Sequence, residues 1–212
     1  MKFVLLVEGP TEKKSIAPFV KRWLDRRLSQ RVGIDTVNMT CFGDFKKKAP
    51  KKAHMHLNGL EKDQIIAVIG LLDLYGPQSS DFYPPDKTSV EQRHEWAAGY
   101  FQKKVNNPKF HMFFAVHDFE AWLFSQPEKL PQTMQTKLPG DLRPPEAINF
   151  DKPPAKLLDE LYRRTYRNKG YKKPVDGPNL FQNLDPLVAY EKCPYLKAML
   201  DKMLTLAQNE GL

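Results

Sequence analysis

Acidic residues follow three apolar segments of the sequence. Glu8 comes directly after FVLLV, Asp73 directly after IIAVIGLL, and Asp118 and Glu120 lie just beyond FHMFFAV. Carboxylates that are brought together repel one another, and their pKa values rise unless a cation neutralises them. Carboxylate oxygens favour Mg²⁺ or Mn²⁺ over zinc. The pattern therefore predicts a Mg²⁺ or Mn²⁺ site with Glu8, Asp73, Asp118 and Glu120 as its ligands.

Each acid taken alone has a simpler explanation, because an acid after a strand commonly caps the next helix or faces solvent. The shared position of the acids favours the metal site. All three apolar segments are typical of central strands in a covered parallel sheet. In such sheets the C-terminal ends of the strands form the ligand crevice. The three strands would therefore bring their acids to one edge.

Helical periodicity separates these strands. Residues 16–28 and 89–105 have apolar positions at helical spacing, with Ser89 as the first residue of the second helix, and residues 34–42 alternate like an edge strand. The order strand–helix–strand–strand–helix–strand predicts an α/β fold with a central, mostly parallel sheet flanked by helices.

Prolines divide the chain beyond residue 126, where helices are predicted over 154–167 and 195–208. The segment KPVDGPN, which contains Asp176 and Gly177, has the composition of a turn. We therefore divide the chain into an α/β core, residues 1–126, and a Pro-rich connection with a helical C-terminal extension, residues 127–212.

The turn after the first strand reads Glu8-Gly9-Pro10-Thr11-Glu12. Gly9 allows the backbone to approach a ligand closely, and the N-terminus of the helix that follows attracts phosphate. The spacing of a P-loop is absent from the sequence. Glu12 lies close enough in sequence to Glu8 to assist it in catalysis.

The segment VEGPTE after a short first strand resembles the start of a Toprim domain, the Rossmann-like, Mg²⁺-binding fold of topoisomerases, primases and OLD-family nucleases. The resemblance implies that Glu8 is a general acid/base or a metal ligand. The family's second signature is Asp-x-Asp, which Asp73 matches in its first acid. Tyr75 replaces the second acid, which speaks against a two-metal mechanism of the topoisomerase type.

A wider set of motifs, VEGPTE, LLDLYGP, HDFEAWLFSQP, PPEAIN, PPAK and CPYLKAML, is similar to a prokaryotic Toprim-like family of unknown function. That family is related to the OLD-nuclease Toprim domain and is often encoded beside AAA or ABC-type ATPases, in some cases in phage defence. The resemblance implies an ATPase partner, and it implies that Glu120 supplies the acid missing at Tyr75. It also implies that Lys156, in PPAK, neutralises charge developing on a phosphate; a lysine on a helix surface is the alternative.

Basic residues form two clusters in a chain whose formal net charge is +8. The first cluster includes Lys46, Lys47 and Lys48. The second includes Arg163, Arg164, Arg167, Lys172 and Lys173, and tyrosines are interleaved with it. Such clusters suit sequence-independent contact with a nucleic-acid backbone and occasional base stacking, with a solvated loop and a solvated helix face as the alternative. His117, beside Asp118, orients a water, ligates a metal or forms a structural hydrogen bond.

These features predict a metal-dependent nuclease that hydrolyses DNA or RNA, with Glu8, Glu12 and Lys156 as catalytic residues. The alternatives are a non-catalytic Toprim-like subunit that binds an ATPase or nucleic acid, and another phosphoryl-transfer enzyme. The two cysteines, Cys41 and Cys193, provide neither a disulfide framework nor a cysteine zinc site. Because the apolar segments are too short to span a membrane, we expect a cytoplasmic protein.

Overall fold

Four parallel strands form the centre of the protein in a computed structural model. The structure describes residues 1–74, 82–140, 142, 144–147 and 153–212. The strands are β1 (Lys2–Val7), β2 (Gly33–Asn38), β3 (Ile65–Asp73) and β4 (Phe110–Ala115). Their order across the sheet is β2-β1-β3-β4, and every neighbouring pair is parallel. The protein thus has an α/β fold, and the predicted mostly parallel sheet is parallel throughout its described strands.

The register of the strands brings their C-terminal ends to one edge. Val7 at the end of β1 pairs with Leu71 of β3, and Asp73 at the end of β3 pairs with Ala115 of β4. The chain leaves each of these strands at the same edge of the sheet. The segments that follow β1, β3 and β4 therefore meet there.

Helices cover both faces of the sheet. They are α1 (Pro10–Leu24), α2 (Phe42–Leu57), α3 (Val90–Val105), α4 (Gln132–Gln135), α5 (Pro154–Thr165), α6 (Lys173–Asn183), α7 (Pro186–Lys192) and α8 (Pro194–Asn209). The apolar side chains of α2 and α3 share one core with the sheet. Those of α1 and α5 to α8 share a second core with the opposite face. Within the described ranges, no helix is both long enough and apolar enough to span a membrane.

The predicted helices are present, and α3 begins as the sequence indicates. Ser89 caps it by accepting a hydrogen bond from the backbone N–H of Gln92 at 3.2 Å. The helices predicted over 154–167 and 195–208 are α5 and α8. The division of the chain at residue 126 stays a prediction, although helices from beyond it contribute to the same core as α1.

Two elements differ from the sequence prediction. The predicted edge strand over 34–42 ends at Asn38, and α2, which was missed, begins at Phe42. The buried residues of α2 are Phe45, Ala49, Ala53 and Leu57, and five lysines and Pro50 lie between them, so the segment has the composition of a solvated loop. The turn predicted for KPVDGPN is wrong, because this segment forms the first half of α6.

Helix α6 lies against α1 at Gly177. A Cβ atom at this position would stand 2.6 Å from Thr11 Cγ2 and 2.8 Å from the hydroxyl oxygen of Tyr171. Both distances are shorter than van der Waals contact. The glycine is thus required by the close approach of the two helices, which explains a residue that otherwise weakens a helix.

We expect Gly177→Ala to lower the free energy of unfolding by about 1–3 kcal/mol, because the added methyl group forces α6 away from α1. Gly99→Ala is the matched control, since Gly99 also lies in a helix and a Cβ there would meet nothing within 4 Å. The control should be as stable as the unsubstituted protein or more so. Urea unfolding of both variants checks this, and equal stability of the two would contradict the role of the close contact.

Glu146 fastens the start of α8. Its carboxylate accepts hydrogen bonds from the backbone N–H groups of Tyr195 at 2.8 Å and Leu196 at 3.2 Å, and from the indole N–H of Trp122 at 3.2 Å. The first turn of a helix leaves such N–H groups without partners in the helix. Burial nevertheless raises the pKa of Glu146 to about 7, because the three hydrogen bonds only partly offset desolvation.

This raised pKa predicts a loss of stability as the pH increases. The protonated form of Glu146 is favoured in the folded state, so its stabilisation is complete below its ordinary pKa and is lost as the pH rises through about 7. Over this range Glu146→Gln should lose about 1–3 kcal/mol less than the unsubstituted protein. Urea midpoints across the pH range measure the slope. Glu210→Gln, an exposed control, should keep the original slope, and an unchanged slope in Glu146→Gln would refute the assignment.

Candidate active site

Five carboxylates of the described residues lie at the C-terminal edge of the sheet. Glu8 follows β1, Glu12 lies in the first turn of α1, and Asp73 is the last residue of β3. Asp118 and Glu120 belong to the segment after β4, where a 3₁₀-helix spans Phe119–Ser125. Glu12, Asp118 and Glu120 are buried, and the side chain of Asp73 is only 14% exposed. The structure therefore places the acids singled out in the sequence in one buried region.

Backbone N–H groups from other segments hold these carboxylates. Asp73 Oδ1 accepts from the N–H of Phe119 at 3.0 Å, and Asp118 Oδ2 accepts from the N–H of Ala155 at 3.1 Å. The N–H of Phe42, at the start of α2, bonds to Glu8. Each bond fixes one end of a carboxylate and thereby ties a strand end to a helix or to the segment after β4.

One lysine lies among the acids. The ammonium nitrogen of Lys173, the first residue of α6, is 3.1 Å from Glu120 Oε2 and 3.8 Å from Asp73 Oδ2. The hydroxyl group of Tyr171 donates to Glu120 Oε1 at 3.3 Å. Lys173 was predicted only as a member of the second basic cluster. Because KPVDGPN was taken for a turn, its lysine had no predicted position relative to the sheet edge.

The pKa values of the acids show that one lysine does not neutralise the cluster. Burial, followed by repulsion from Asp73, raises the pKa of Asp118 to about 7. Burial raises the pKa of Glu120 to about 8 despite the charge of Lys173, and it raises the pKa of Asp73 well above its usual range. The pKa of Glu8 is raised by burial and then by Glu12. Ionising all of these carboxyl groups together is therefore unfavourable.

Burial alone would lower the pKa of Lys173, but the surrounding charges reverse the direction. Glu120, Asp73, Asp118 and Glu12 together raise this pKa above its usual value. The ammonium group is therefore charged whenever these acids are ionised. It supplies part of the positive charge that buried carboxylates require.

The carboxylate oxygens suit a hard cation in type and charge, but the ammonium group of Lys173 lies where the acids converge. Glu8 Oε2 and Asp118 Oδ1 are buried oxygens with no hydrogen-bond donor among the described residues. Free carboxylate oxygens with excess negative charge are the ligands that Mg²⁺ and Mn²⁺ prefer. Across the described ranges, however, no three His, Cys, Asp or Glu side chains stand in positions that would hold one ion. To hold one ion, the acidic side chains near Lys173 would have to rotate.

The other predicted site residues have different positions. Lys156 is exposed on α5, and the described residues offer it no ion pair, so the structure places Lys173 rather than Lys156 among the acids. His117 has a left-handed backbone (φ 64°) and lines a separate cavity of about 340 Å³ beside Glu146. Burial lowers the pKa of His117. The prediction for Tyr75 lies outside the described residues.

The two predicted basic clusters are only partly free of acidic partners. Lys48 pairs with Asp44, and the ammonium group of Lys46 lies over the ring of Phe82 at 5.1 Å. Arg163 and Arg164 form ion pairs with acids one turn earlier in α5, at 2.7 Å and 3.8 Å. Lys47, Arg167 and Lys172 are exposed. The second cluster adjoins the acids, since it includes Lys173.

Comparison with known proteins gives a family. A family model described as "Domain of unknown function (DUF4276)" matches residues 7–204. No curated protein matches the sequence. The chain is similar to the C-terminal region of the Xanthomonas campestris pv. campestris OLD protein, with 15% identity over 98% of this chain and 97% of that chain and a TM-score of 0.47. It is also similar to the C-terminal region of the Burkholderia pseudomallei OLD protein, with 16% identity over 93% and 98% and a TM-score of 0.38.

Replacing the lysine should expose the repulsion between the acids. We expect Lys173→Met to lower the free energy of unfolding in chelator by about 1–2 kcal/mol at about pH 8, a value reduced for the exposed part of the side chain. The loss should be smaller at about pH 5, since Asp118 and Glu120 then hold protons in the folded state.

Lys172→Met provides the matched control, because Lys172 is the exposed neighbour and has no ion pair with a described residue. Urea unfolding at both pH values measures the effect. A Lys173→Met protein whose loss of stability is the same at both pH values, or no larger than that of the control, would contradict the charge balance.

Proposed function

We propose that this chain, which belongs to the DUF4276 family, is a metal-dependent nuclease. The observation that carries the proposal is the set of five acids that the described residues place at the C-terminal edge of a parallel sheet, three of them buried and two half-buried, with Lys173 among them. Burying so much like charge weakens a fold. Sites that bind a divalent cation and a phosphate use such arrangements, because the cation offsets the repulsion.

Glu8, Asp73, Asp118 and Glu120 would hold Mg²⁺ or Mn²⁺. When bound, such an ion makes a nearby water more acidic and offsets negative charge on a phosphate oxygen. Glu8 Oε2 and Asp118 Oδ1 are the buried oxygens with the freedom to take part, because no described group donates to them. The N–H of Ala155 keeps Asp118 Oδ2 in place, so Oδ1 is the atom that would bind or hold a proton.

Lys173 would act on the reacting groups, and Asp118 would hold either the ion or a proton. Without an ion, burial raises the pKa of Asp118 to about 7, so its carboxyl group can exchange a proton near neutral pH. Lys173 would offset negative charge on the phosphate, the role that the sequence resemblance gave to Lys156. Glu12, buried in the first turn of α1, would assist Glu8, since its nearby negative charge raises the pKa of Glu8.

The proposal extends to partners and setting on the strength of the sequence motifs. VEGPTE, HDFEAW and the other quoted segments resemble a Toprim-like family whose members are encoded beside AAA or ABC-type ATPases, in some cases in phage defence. We therefore propose sequence-independent binding of nucleic acid in the cytoplasm and an ATPase partner. The exposed cations Lys47, Arg167 and Lys172 support contact with phosphates.

A second candidate is a binding subunit without hydrolytic activity. It is favoured by the position of Lys173, whose ammonium group already pairs with Glu120, and by the absence of a three-ligand group among the described side chains. In this case Lys173 would be a permanent counter-charge. Nucleic acid or the ATPase would then bind without being cleaved.

Cleavage of labelled DNA and RNA oligonucleotides tests the proposal. The purified chain should cleave in Mg²⁺ or Mn²⁺ and not in chelator, and Glu8→Gln or Asp73→Asn should each lower the rate at least about 100-fold. Asp63→Asn is the matched control, since Asp63 is an exposed acid at the opposite end of β3. Cleavage that survives either site variant would refute the site. A chain that binds the oligonucleotides without cleaving them in either metal would favour the second candidate.

A further inference from the structure

A cavity of about 630 Å³ opens beside the acidic site. Its walls come from the end of α5, the start of α6 and the turn between these helices, and they include Tyr162, Tyr166, Arg167, Lys169, Lys172 and Val175. A volume of this size is in the range of pockets that hold small molecules or single nucleotides.

The cavity has an aromatic wall that is partly open to solvent. The side chain of Tyr166 is 39% exposed, and its ring centroid lies 5.4 Å from that of Tyr162. Tyr162 in turn lies 5.3 Å from Tyr171, so the three rings support one another. Val175, 58% exposed, adds an apolar surface. An exposed aromatic ring on a fixed support is the feature on which unpaired bases stack.

The cations around the cavity are available to a ligand. Arg167, Lys169 and Lys172 form no ion pair with any residue in the described ranges, in contrast to Arg163 and Arg164 on the preceding helix. Asp176 is the acid of the lining, and its Oδ2 accepts from the backbone N–H of Lys172 at 2.7 Å. The lining therefore has a positive balance that suits phosphate groups beside a base.

The turn between the helices is held in one shape. Arg167 and Asn168 adopt left-handed backbone conformations, with φ of 49° and 65°. Asp159 Oδ1 accepts from the N–H of Tyr171 at 2.8 Å, which ties the end of the turn to α5. A Cβ at Gly170 would stand 2.5 Å from that same oxygen, so the glycine permits this approach. The cavity is thus preorganised rather than formed by a free loop.

Tyr171 connects the cavity with the acidic site. It lies between two lining residues, Gly170 and Lys172, and its hydroxyl donates to Glu120. Lys172 lines the cavity, and its neighbour Lys173 pairs with Glu120 and Asp73. The cavity and the acids are therefore neighbours, joined through Tyr171 and Lys173.

We propose that this cavity binds an unpaired nucleobase of single-stranded nucleic acid, with Tyr166 as the stacking surface and Arg167, Lys169 and Lys172 as phosphate contacts. The inference rests on the proposed function, since it assigns the substrate of that site. A duplex cannot offer a base face to Tyr166 without unpairing and unstacking it. Stacking against tyrosine is tolerant of sequence, which agrees with the absence of a base-reading motif in the sequence.

Binding in chelator tests the cavity separately from cleavage. Fluorescence anisotropy of labelled single-stranded DNA, single-stranded RNA and the matched duplexes, at one salt concentration, should show single strands bound about tenfold more tightly. Tyr166→Leu should weaken single-strand binding about tenfold and leave duplex binding unchanged, whereas Tyr166→Phe should retain it. Lys62→Gln, an exposed cation beside the N-terminal end of β3, is the control for general charge.

Two results would overturn the inference: Tyr166→Leu that binds single strands as tightly as the unsubstituted protein, and duplexes bound as tightly as single strands. Glu8→Gln separates the two proposals, since it should lose cleavage in Mg²⁺ and keep Tyr166-dependent binding in chelator. Tyr166-dependent binding by a chain that never cleaves would reject the nuclease and support the cavity. If the unsubstituted chain cleaves and Tyr166→Leu still binds single strands normally, the nuclease is supported and the cavity is rejected.

Discussion

The ion pair between Lys173 and Glu120 brings the first residue of α6 to the edge of the sheet. Five acids meet at that edge, and burial raises the pKa of several of them because water is replaced by apolar side chains. A buried carboxylate requires either a proton, a hydrogen-bond donor or a counter-charge. The arrangement of the later helices at this edge follows from that requirement.

The hydrogen-bond donors to the acids come from different parts of the chain. Backbone N–H groups of Phe119, Ala155 and Phe42 bond to the acids, and the hydroxyl of Tyr171 bonds to Glu120. These donors come from α2, the segment after β4, α5 and the turn before α6. The acids therefore organise the packing of several helices around one edge, in addition to any chemistry they perform.

The sequence predicted the sheet well because its strands are short, continuously apolar and rich in branched side chains. It predicted the position of the acids for the same reason, since parallel strands end on one side. It missed α2, whose buried residues are separated by lysines and Pro50, and α6, where Pro174, Gly177 and Pro178 have the composition of a turn. Gly177 is in fact set by the approach of α6 to α1, a tertiary contact that local composition does not reveal.

The position of Lys173 among the acids was not predicted, for a related reason. Lys156 and Lys173 both stand near the start of a helix, and nothing in their local sequence says which start faces the acids. Only the packing of α6 on α1 decides it. The cavity beside α5 likewise depends on a turn whose left-handed residues, Arg167 and Asn168, carry ordinary side chains.

The donor from Ala155 and the ammonium group of Lys173 have a consequence for synthesis on the ribosome. All four strands and the five acids precede residue 121, whereas these two partners come more than thirty residues later. A nascent chain that has been synthesised as far as Glu120 therefore contains all five acids but lacks these two later partners. The acidic edge can reach its final form only after the C-terminal helices have left the exit tunnel.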